Sequence, residues 1–233
     1  MAFFAVKTSL LGCLLLAAAF FSFAQPTGSK NSFIPKGYHP LTEATGDLNK
    51  DGIPDVALVV ENTDPQNFKP NPDGLGADTL NLNDRKLLVL FGNGNGTFRK
   101  VAHNTGLLPS EHSDVQSCLA DPLMMDGGIE IEKGVLKIAL QYWYSCGTWY
   151  VNRNTYTLRW QNGRMQLIGF DYYDLHRASG ASNSRSINFS TGKQKEVTGT
   201  NEFEDPEDPK TVWTNLKNRQ PIYLEDLTEE DDF

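Results

Sequence analysis

The stretch of sequence that decides the fold runs from residue 47 to residue 60 and reads DLNKDGIPDVALVV. Its first nine residues place side-chain oxygens at loop positions 1, 3, 5 and 9 around a glycine at position 6, which is typical of a Ca²⁺-binding loop. The last five residues are apolar and rich in β-branched side chains, which predicts a strand. An EF-hand would continue into a helix and carry a glutamate at position 12, where this chain has Leu58.

The predicted Ca²⁺ ligands are the side chains of Asp47, Asn49, Asp51 and Asp55 and the carbonyl of Ile53. The alternative is a metal-free turn, because Gly, Asn and Asp are common turn residues.

A second motif follows within the next forty residues. Residues 86–98 read KLLVLFGNGNGTF, an apolar strand followed by a glycine-rich turn and a phenylalanine. Together, residues 44–100 resemble the calcium-binding unit of FG-GAP and VCBS-type repeats. That resemblance implies a propeller-like β domain, but a closed propeller needs several repeats and the sequence contains one copy. The remaining alternative is a different β fold that contains the unit.

The second half of the chain predicts a series of β-hairpins. Apolar and polar residues alternate on both sides of Lys133-Gly134, Asn162-Gly163 and Thr191-Gly192, and Asn-Gly is a strong hairpin signal. We therefore expect an all-β, antiparallel hairpin meander, arranged as one propeller-like domain over residues 44–226 with the calcium loop between strands. An extended N-terminal arm is expected over residues 25–43, a long inserted loop over residues 62–85, and a solvated acidic tail over residues 227–233.

The N-terminus indicates export. Residues 1–24 combine Lys7, an apolar stretch and small residues before Ala24, as in a secretory signal peptide. Lipoprotein processing at Cys13 is the alternative. The mature protein is expected to be periplasmic or extracellular, with no transmembrane segment after signal removal.

Its cysteines, Cys118 and Cys146, are expected to form a disulfide in that oxidising environment, and two free buried thiols are the alternative. A formal net charge of −8 disfavours nucleic acid as a partner.

A second resemblance involves residues 147–193, which read as successive hairpins with an Arg-Ala-Ser-Gly turn at 177–180. With the calcium loop, this part is similar to exported bacterial proteins related to the periplasmic inhibitors of invertebrate-type lysozyme. That group includes a calcium-binding immunity protein that neutralises a secreted peptidoglycan hydrolase. The inhibitors insert a Ser-Gly-x-x-Tyr loop into the enzyme, whereas Asn183 replaces the tyrosine here. The partner-binding loop that the resemblance implies contains Arg177, Ser179, Gly180, Ser182 and Arg185. The alternative is a mobile hairpin tip.

Function is expected to be binding rather than catalysis. The four histidines are scattered, and no nucleophile elbow or His-x-x-x-His pair occurs. The aromatic residues between 142 and 150 predict a core face of a sheet, a protein interface or a glycan-stacking surface. We therefore expect a protein-binding module with Ca²⁺ as its cofactor, and a cell-wall hydrolase is the favoured partner. A surface adhesion or glycan-binding module with structural calcium is the alternative.

Overall fold

The computed structural model describes residues 26–72, 74–204, 208–217, 220–231 and 233. These residues form an all-β protein in which all pairings between named strands are antiparallel. Short 3-10 helices lie at Lys30–Phe33, Pro65–Asn67 and Leu224–Asp226. The strands are β1 (Thr27–Gly28), β2 (Tyr38–Gly46), β3 (Asp55–Asn62), β4 (Phe68–Pro70), β5 (Thr79–Asn81), β6 (Arg85–Gly92), β7 (Phe98–Asn104), β8 (Gly128–Glu132), β9 (Val135–Tyr142), β10 (Tyr150–Gln161), β11 (Arg164–His176), β12 (Ala181–Asn188), β13 (Lys193–Asn201) and β14 (Lys210–Asn215).

The strands form two large sheets and one small one. A five-stranded sheet has the order β1-β7-β6-β3-β2, and a seven-stranded meander runs β14-β13-β12-β11-β10-β9-β8. Strands β4 and β5 pair separately as a small hairpin within the predicted 62–85 loop. Edge strands β2 and β8 adjoin, with Gly46 packed against Ile131. No closed barrel or propeller is found among the described residues, so the propeller-like arrangement stays a prediction.

One hydrophobic core joins the two large sheets. Burial of apolar side chains from both sheets supplies the main driving force for their packing. The Phe91 ring of β6 meets the Trp160 ring of β10 edge-on, with 4.8 Å between centroids. Fully buried residues of this core include Ala57, Val59, Leu87, Val89, Leu136, Ile138, Leu140, Tyr156, Leu158 and Leu167.

The N-terminal segment contributes strands and core packing. Residues 25–43 were expected to be an extended arm, but the described part contains β1, a 3-10 helix and the first six residues of β2. Phe33 and Ile34 cover a second apolar cluster on the other face of β3 and β6. Because both faces of β3 are covered, its sequence is apolar at successive positions rather than alternating.

The predicted hairpin turns are confirmed. Lys133 and Gly134 have φ angles of 51° and 78°, and Asn162 and Gly163 have φ angles of 54° and 79°. Two consecutive positive φ angles are the signature of a type I′ turn, whose twist matches that of the flanking strands.

The C-terminal segment is docked through its apolar residues. Leu227 is 1% exposed, and its carbonyl oxygen accepts a hydrogen bond of 2.7 Å from the Asn104 side chain. Phe233 packs in an aromatic group with Tyr156 and Phe170, at centroid distances of 6.4 and 5.1 Å. The expectation of a solvated acidic tail is therefore wrong for Leu227 and Phe233, whereas residues 228–230 are exposed as expected. Its apolar residues outweigh its charged ones, because their burial removes apolar surface from water.

A buried ionic network ties the inserted 62–85 segment to the sheets. Arg85 is 2% exposed and donates two hydrogen bonds of 2.7 Å to Asp121 and one of 2.8 Å to Glu61. Asn81 donates to the other oxygen of Glu61 at 3.1 Å. The guanidinium therefore satisfies two carboxylates that would be costly to bury alone.

The predicted signal peptide, residues 1–24 with Cys13, lies outside the described residues. The described part of the chain has no helix with the length and apolar character that crossing a membrane requires.

Candidate functional sites: an acidic loop and an aromatic rim

The acidic loop, Asp47–Asp55, connects β2 to β3 at the position that the sequence predicts. Lys50 and Gly52 adopt positive φ angles of 65° and 81°, which fold the loop back on itself. Its polar side chains turn inward and accept backbone N–H groups of the same loop. Asp47 Oδ1 accepts the N–H of Lys50 at 2.6 Å, and Asp47 Oδ2 accepts the N–H of Gly52 at 2.9 Å. Asn49 Oδ1 accepts the N–H of Asp51 at 2.9 Å, and Asp51 Oδ1 accepts the N–H of Ile53 at 2.8 Å.

Asp55 closes the loop and links it to the rest of the repeat unit. Its side chain is completely buried, and Oδ2 accepts the backbone N–H groups of Leu48 at 2.8 Å and Asn49 at 3.3 Å. Oδ1 accepts the N–H of Gly92 at 3.0 Å. Burial raises the pKa of Asp55, the backbone hydrogen bonds lower it, and the charge of Asp51 raises it further. The two halves of the predicted repeat unit therefore meet at one carboxylate.

Gly92 allows this close approach. A Cβ atom at residue 92 would lie 2.4 Å from the carbonyl oxygen of Pro54 and 2.9 Å from Ile53 Cγ2. Real Cβ atoms do not approach a backbone oxygen this closely, so a larger residue would push the glycine-rich turn away from the acidic loop. The glycine at the end of β6 is therefore a packing requirement of the loop.

The residues of the acidic loop suit a hard cation. In the described part of the chain, no Lys or Arg pairs with the carboxylates of Asp47, Asp51 or Asp55. The described residues also contain no cluster of three or more His, Cys, Asp and Glu side chains arranged around a metal position. Oxygen ligands would therefore have to include the Asn49 amide, the Ile53 carbonyl and water, all of which Ca²⁺ accepts. The Asn49 amide nitrogen donates to Asp51 Oδ2 at 2.8 Å, and this hydrogen bond would give way to the ion.

The predicted partner-binding loop is shorter than expected. Strand β11 ends at His176 and β12 begins at Ala181, so only the four-residue turn 177–180 lies between them. Ser182 and Arg185 belong to β12 rather than to a loop, and Ser182 is 2% exposed. Gly180 is also buried, whereas Ser179 is exposed. The turn is fixed by Ser179, whose backbone N–H donates to His176 Nδ1 at 3.2 Å.

Arg177 organises a neighbouring segment. Its Nη2 donates to the carbonyl oxygens of Tyr144 at 2.8 Å and Thr148 at 2.9 Å. Its guanidinium also lies over the rings of Trp143 and Trp149, at 5.0 and 5.8 Å from the centroids. These contacts engage the side chain of a residue that was expected to belong to the partner-binding loop. Arg177 therefore holds residues 144–149 in place instead of projecting into solvent.

The segment held by Arg177 carries exposed aromatic rings. Trp149 is 62% exposed and Tyr150 is 51% exposed, although Tyr150 also meets the His176 ring at 4.9 Å. Phe203, 63% exposed, lies across the turn and contacts Gly180. We call Trp149, Tyr150 and Phe203 the aromatic rim. Phe203 was not anticipated, because it stands alone among polar residues in the sequence.

The disulfide expected from the sequence is present and anchors this segment. Cys118 and Cys146 are bonded, with 5.5 Å between their Cα atoms. The Ser145 N–H donates to the Cys118 carbonyl oxygen at 2.9 Å. The segment that carries Trp149 is thus fastened by a covalent bond and by Arg177.

The acidic loop and the aromatic rim lie at opposite ends of the seven-stranded sheet. Tyr150 pairs with His176 at the rim end of β10, and Gln161 pairs with Arg164 at the other end. Val135, beside the β8–β9 turn, pairs with Arg159 near that second end. The acidic loop packs there, with Lys50 against Gly134. Since β10 has 12 residues, the two sites are separated by about 35 Å along the strand.

Comparison with known proteins yields no relative. No family model matches the chain, and no curated protein and no solved structure is significantly similar to it.

Proposed function

We propose that this chain is an exported, calcium-stabilised β protein that binds a protein partner through the aromatic rim. Inhibition of, or immunity to, a cell-wall hydrolase is the specific activity favoured by the resemblance of the calcium loop and residues 147–193 to the lysozyme-inhibitor group. The propeller-like relationship to that group is part of the same proposal. In this account the chain binds and does not catalyse.

The observation that carries the proposal is the exposure of Trp149 and Tyr150 on a fixed backbone. Large aromatic rings are normally buried, and rings left exposed on a rigid support are favourable anchors for a protein interface. The support here consists of the disulfide and the Arg177 hydrogen bonds to Tyr144 and Thr148. A partner that buries these rings therefore loses little free energy to ordering the segment.

Calcium has a structural role in this proposal. An ion in the acidic loop would stabilise the β2–β3 connection and, through Asp55 and Gly92, the turn that follows β6. Because the loop lies about 35 Å from the rim, the ion would stabilise the fold and would not contact the partner.

The test is affinity capture from periplasmic and secreted extracts, combined with inhibition assays on lysozymes and other peptidoglycan hydrolases. Trp149→Ala is expected to weaken partner binding at least about 30-fold, the size of a hot-spot loss of 2 kcal/mol. Trp213→Ala is the matched control, because Trp213 is 64% exposed but lies on β14 outside the rim. Equal binding by the two variants and the parent would contradict the proposed interface.

Glycan binding is the second candidate. It is favoured by the exposed Trp149 ring beside the polar groups of Thr148 and Arg177, since aromatic faces next to hydrogen-bonding groups suit sugar rings. Retention on purified peptidoglycan that Trp149→Ala abolishes, with no protein captured, would favour this candidate over the first.

A further inference from the structure

A cavity of about 450 Å³ opens beside the aromatic rim and is not part of it. One wall is the end of β9 and the residues that follow, with Tyr142 and Tyr144. A second wall is the 109–119 segment, with His112 and Asp114, and the docked C-terminal segment adds Glu229. Two phenol rings, two carboxylates and an imidazole therefore line one space.

The backbone of both cavity walls is held by hydrogen bonds. Tyr144 bridges to Leu119, and Ser145 next to it bonds to Cys118. On the opposite side, His112 and Asn81 exchange two hydrogen bonds of 3.1 Å, one of them from the Asn81 N–H to His112 Nδ1. Asn81 also belongs to the buried network of Glu61 and Arg85. The cavity is thus bounded by the disulfide on one side and by the ionic network on the other.

Two carboxylates, those of Asp114 and Glu229, give the cavity an acidic lining. The Tyr142 hydroxyl donates to Glu229 Oε1 at 3.4 Å. Burial raises the pKa of Tyr142 and Tyr144, and the charge of Glu229 raises both further. Burial and the neighbouring Glu230 also raise the pKa of Glu229. The charge of Glu229 therefore opposes the ionisation of both phenols, and the Tyr142 hydrogen bond lowers the pKa of Glu229.

No cation of the described chain balances these carboxylates. Neither Glu229 nor Asp114 forms an ion pair with a described Lys or Arg. Because His112 Nδ1 accepts the Asn81 N–H, a neutral ring carries its proton on Nε2 and provides a hydrogen-bond donor. The cavity therefore offers carboxylates and aromatic faces together, which is the combination that recognises an organic cation.

We propose that this cavity binds a cationic nitrogen group, the ammonium or guanidinium of a basic side chain on the protein partner. This inference rests on the proposed function, since the partner supplies the side chain. Glu229 pairs with the cation, and the rings of Tyr142 and Tyr144 provide its aromatic contacts. The formal charge of −8 favours association with a basic partner.

The test is calorimetric titration of the purified protein with N-acetylarginine amide and N-acetyllysine amide, with N-acetylcitrulline amide as the neutral control. Saturable binding of a cationic amide, and none of citrulline amide, is expected. Glu229→Gln is expected to weaken it about 10- to 100-fold, the range for a hydrogen bond to a charged group. Glu230→Gln removes the same charge from the neighbouring residue and is expected to change the affinity less than about threefold. Thermal unfolding of each variant establishes that it is folded.

Two results would overturn the proposal. One is the lack of saturable binding of either cationic amide up to about 50 mM, a concentration well above a millimolar dissociation constant. The other is an equal loss in Glu229→Gln and Glu230→Gln, which would reduce the effect to general electrostatic attraction. The titration requires no partner, so its failure is distinct from failure of the rim. Trp149→Ala, which tests the rim, does not alter the cavity lining.

Discussion

Loss of the Cys118–Cys146 disulfide is expected to destabilise the fold and to loosen the segment that carries the aromatic rim. The bond closes a loop with a sequence separation of 28 residues. The chain-entropy relation then gives a stabilisation of about 3.6 kcal/mol at 25 °C, through restriction of the unfolded chain. For a domain of this size, 1 kcal/mol corresponds to about 2–4 °C in melting temperature. The expected decrease in Tm is therefore about 7–14 °C.

Thermal unfolding followed by circular dichroism measures this change on two forms of the protein. One is the parent after reduction, which keeps both side chains, and the other is the double variant Cys118→Ala, Cys146→Ala. Agreement between them would assign the loss to the cross-link, because only the double variant also changes packing at the buried Cys118. Hydrogen exchange adds a local measurement. The Ser145 amide donates to the Cys118 carbonyl oxygen. Loss of the disulfide is expected to raise the exchange rate of this amide above its rate in the oxidised parent, and by more than it raises the rates of the β10 amides.

A decrease in Tm of less than about 2 °C in both forms would refute the reasoning, since even a small stabilisation of 1 kcal/mol gives that change. Unchanged exchange at Ser145 would separately refute the claim that the disulfide fixes the 144–149 segment. In that case the Arg177 hydrogen bonds alone would hold it.

Two further predictions concern buried polar groups. Arg85→Met is expected to lower the unfolding free energy by about 3–5 kcal/mol, because it leaves the carboxylates of Glu61 and Asp121 without their cation. Urea unfolding measures this change, and a loss below about 1 kcal/mol would contradict the role of Arg85. Burial raises the pKa of Tyr156 to about 12, above that of an unfolded tyrosine near 10, so the folded state retains its phenolic proton longer. The stability linked to that proton is complete below pH 10 and is lost as pH rises toward 12. Tyr156→Phe is expected to flatten this alkaline decline, and parallel pH profiles for the variant and parent would count against the assignment.

Local sequence signals predicted the parts of the fold that local chemistry determines. The Asn162-Gly163 turn follows from the positive φ angles that its two residues tolerate. Strand β3 follows from the β-branched, apolar composition of residues 56–60, and the acidic loop follows from the spacing of its side-chain oxygens around Gly52.

Features that depend on distant residues were not predictable in the same way. The Arg85 network joins residues 24 and 36 positions away in the sequence. Phe233 follows a run of acidic residues, so its place in the aromatic core depends on a groove made by β10 and β11. Ser182 and Arg185 were assigned to a loop because their segment resembles the inserted loop of the lysozyme inhibitors. In the structure they belong to β12, which pairs with β11 and β13 on its two sides.

The aromatic rim illustrates both cases. The cluster around Trp149 was visible in the sequence as an interface, a core face or a glycan surface. Only the pairing of Tyr150 with His176 and the contacts of Arg177 show which rings remain exposed. No pattern in the sequence predicted that Phe203 lies at the same end of the seven-stranded sheet as Trp149.

The central claim, a calcium site at Asp47–Asp55, is tested most directly by thermal unfolding of the purified protein in 10 mM CaCl₂ and in chelator. With a dissociation constant of about 10⁻⁴ M, linkage gives a stabilisation of about 2.7 kcal/mol and an increase in Tm of about 5–10 °C. Asp51→Ala is expected to abolish this increase, whereas Asp171→Ala, an exposed acidic residue on β11 outside the loop, is expected to retain it. An identical Tm with calcium and with chelator would contradict the calcium site, as would an increase that Asp51→Ala leaves intact.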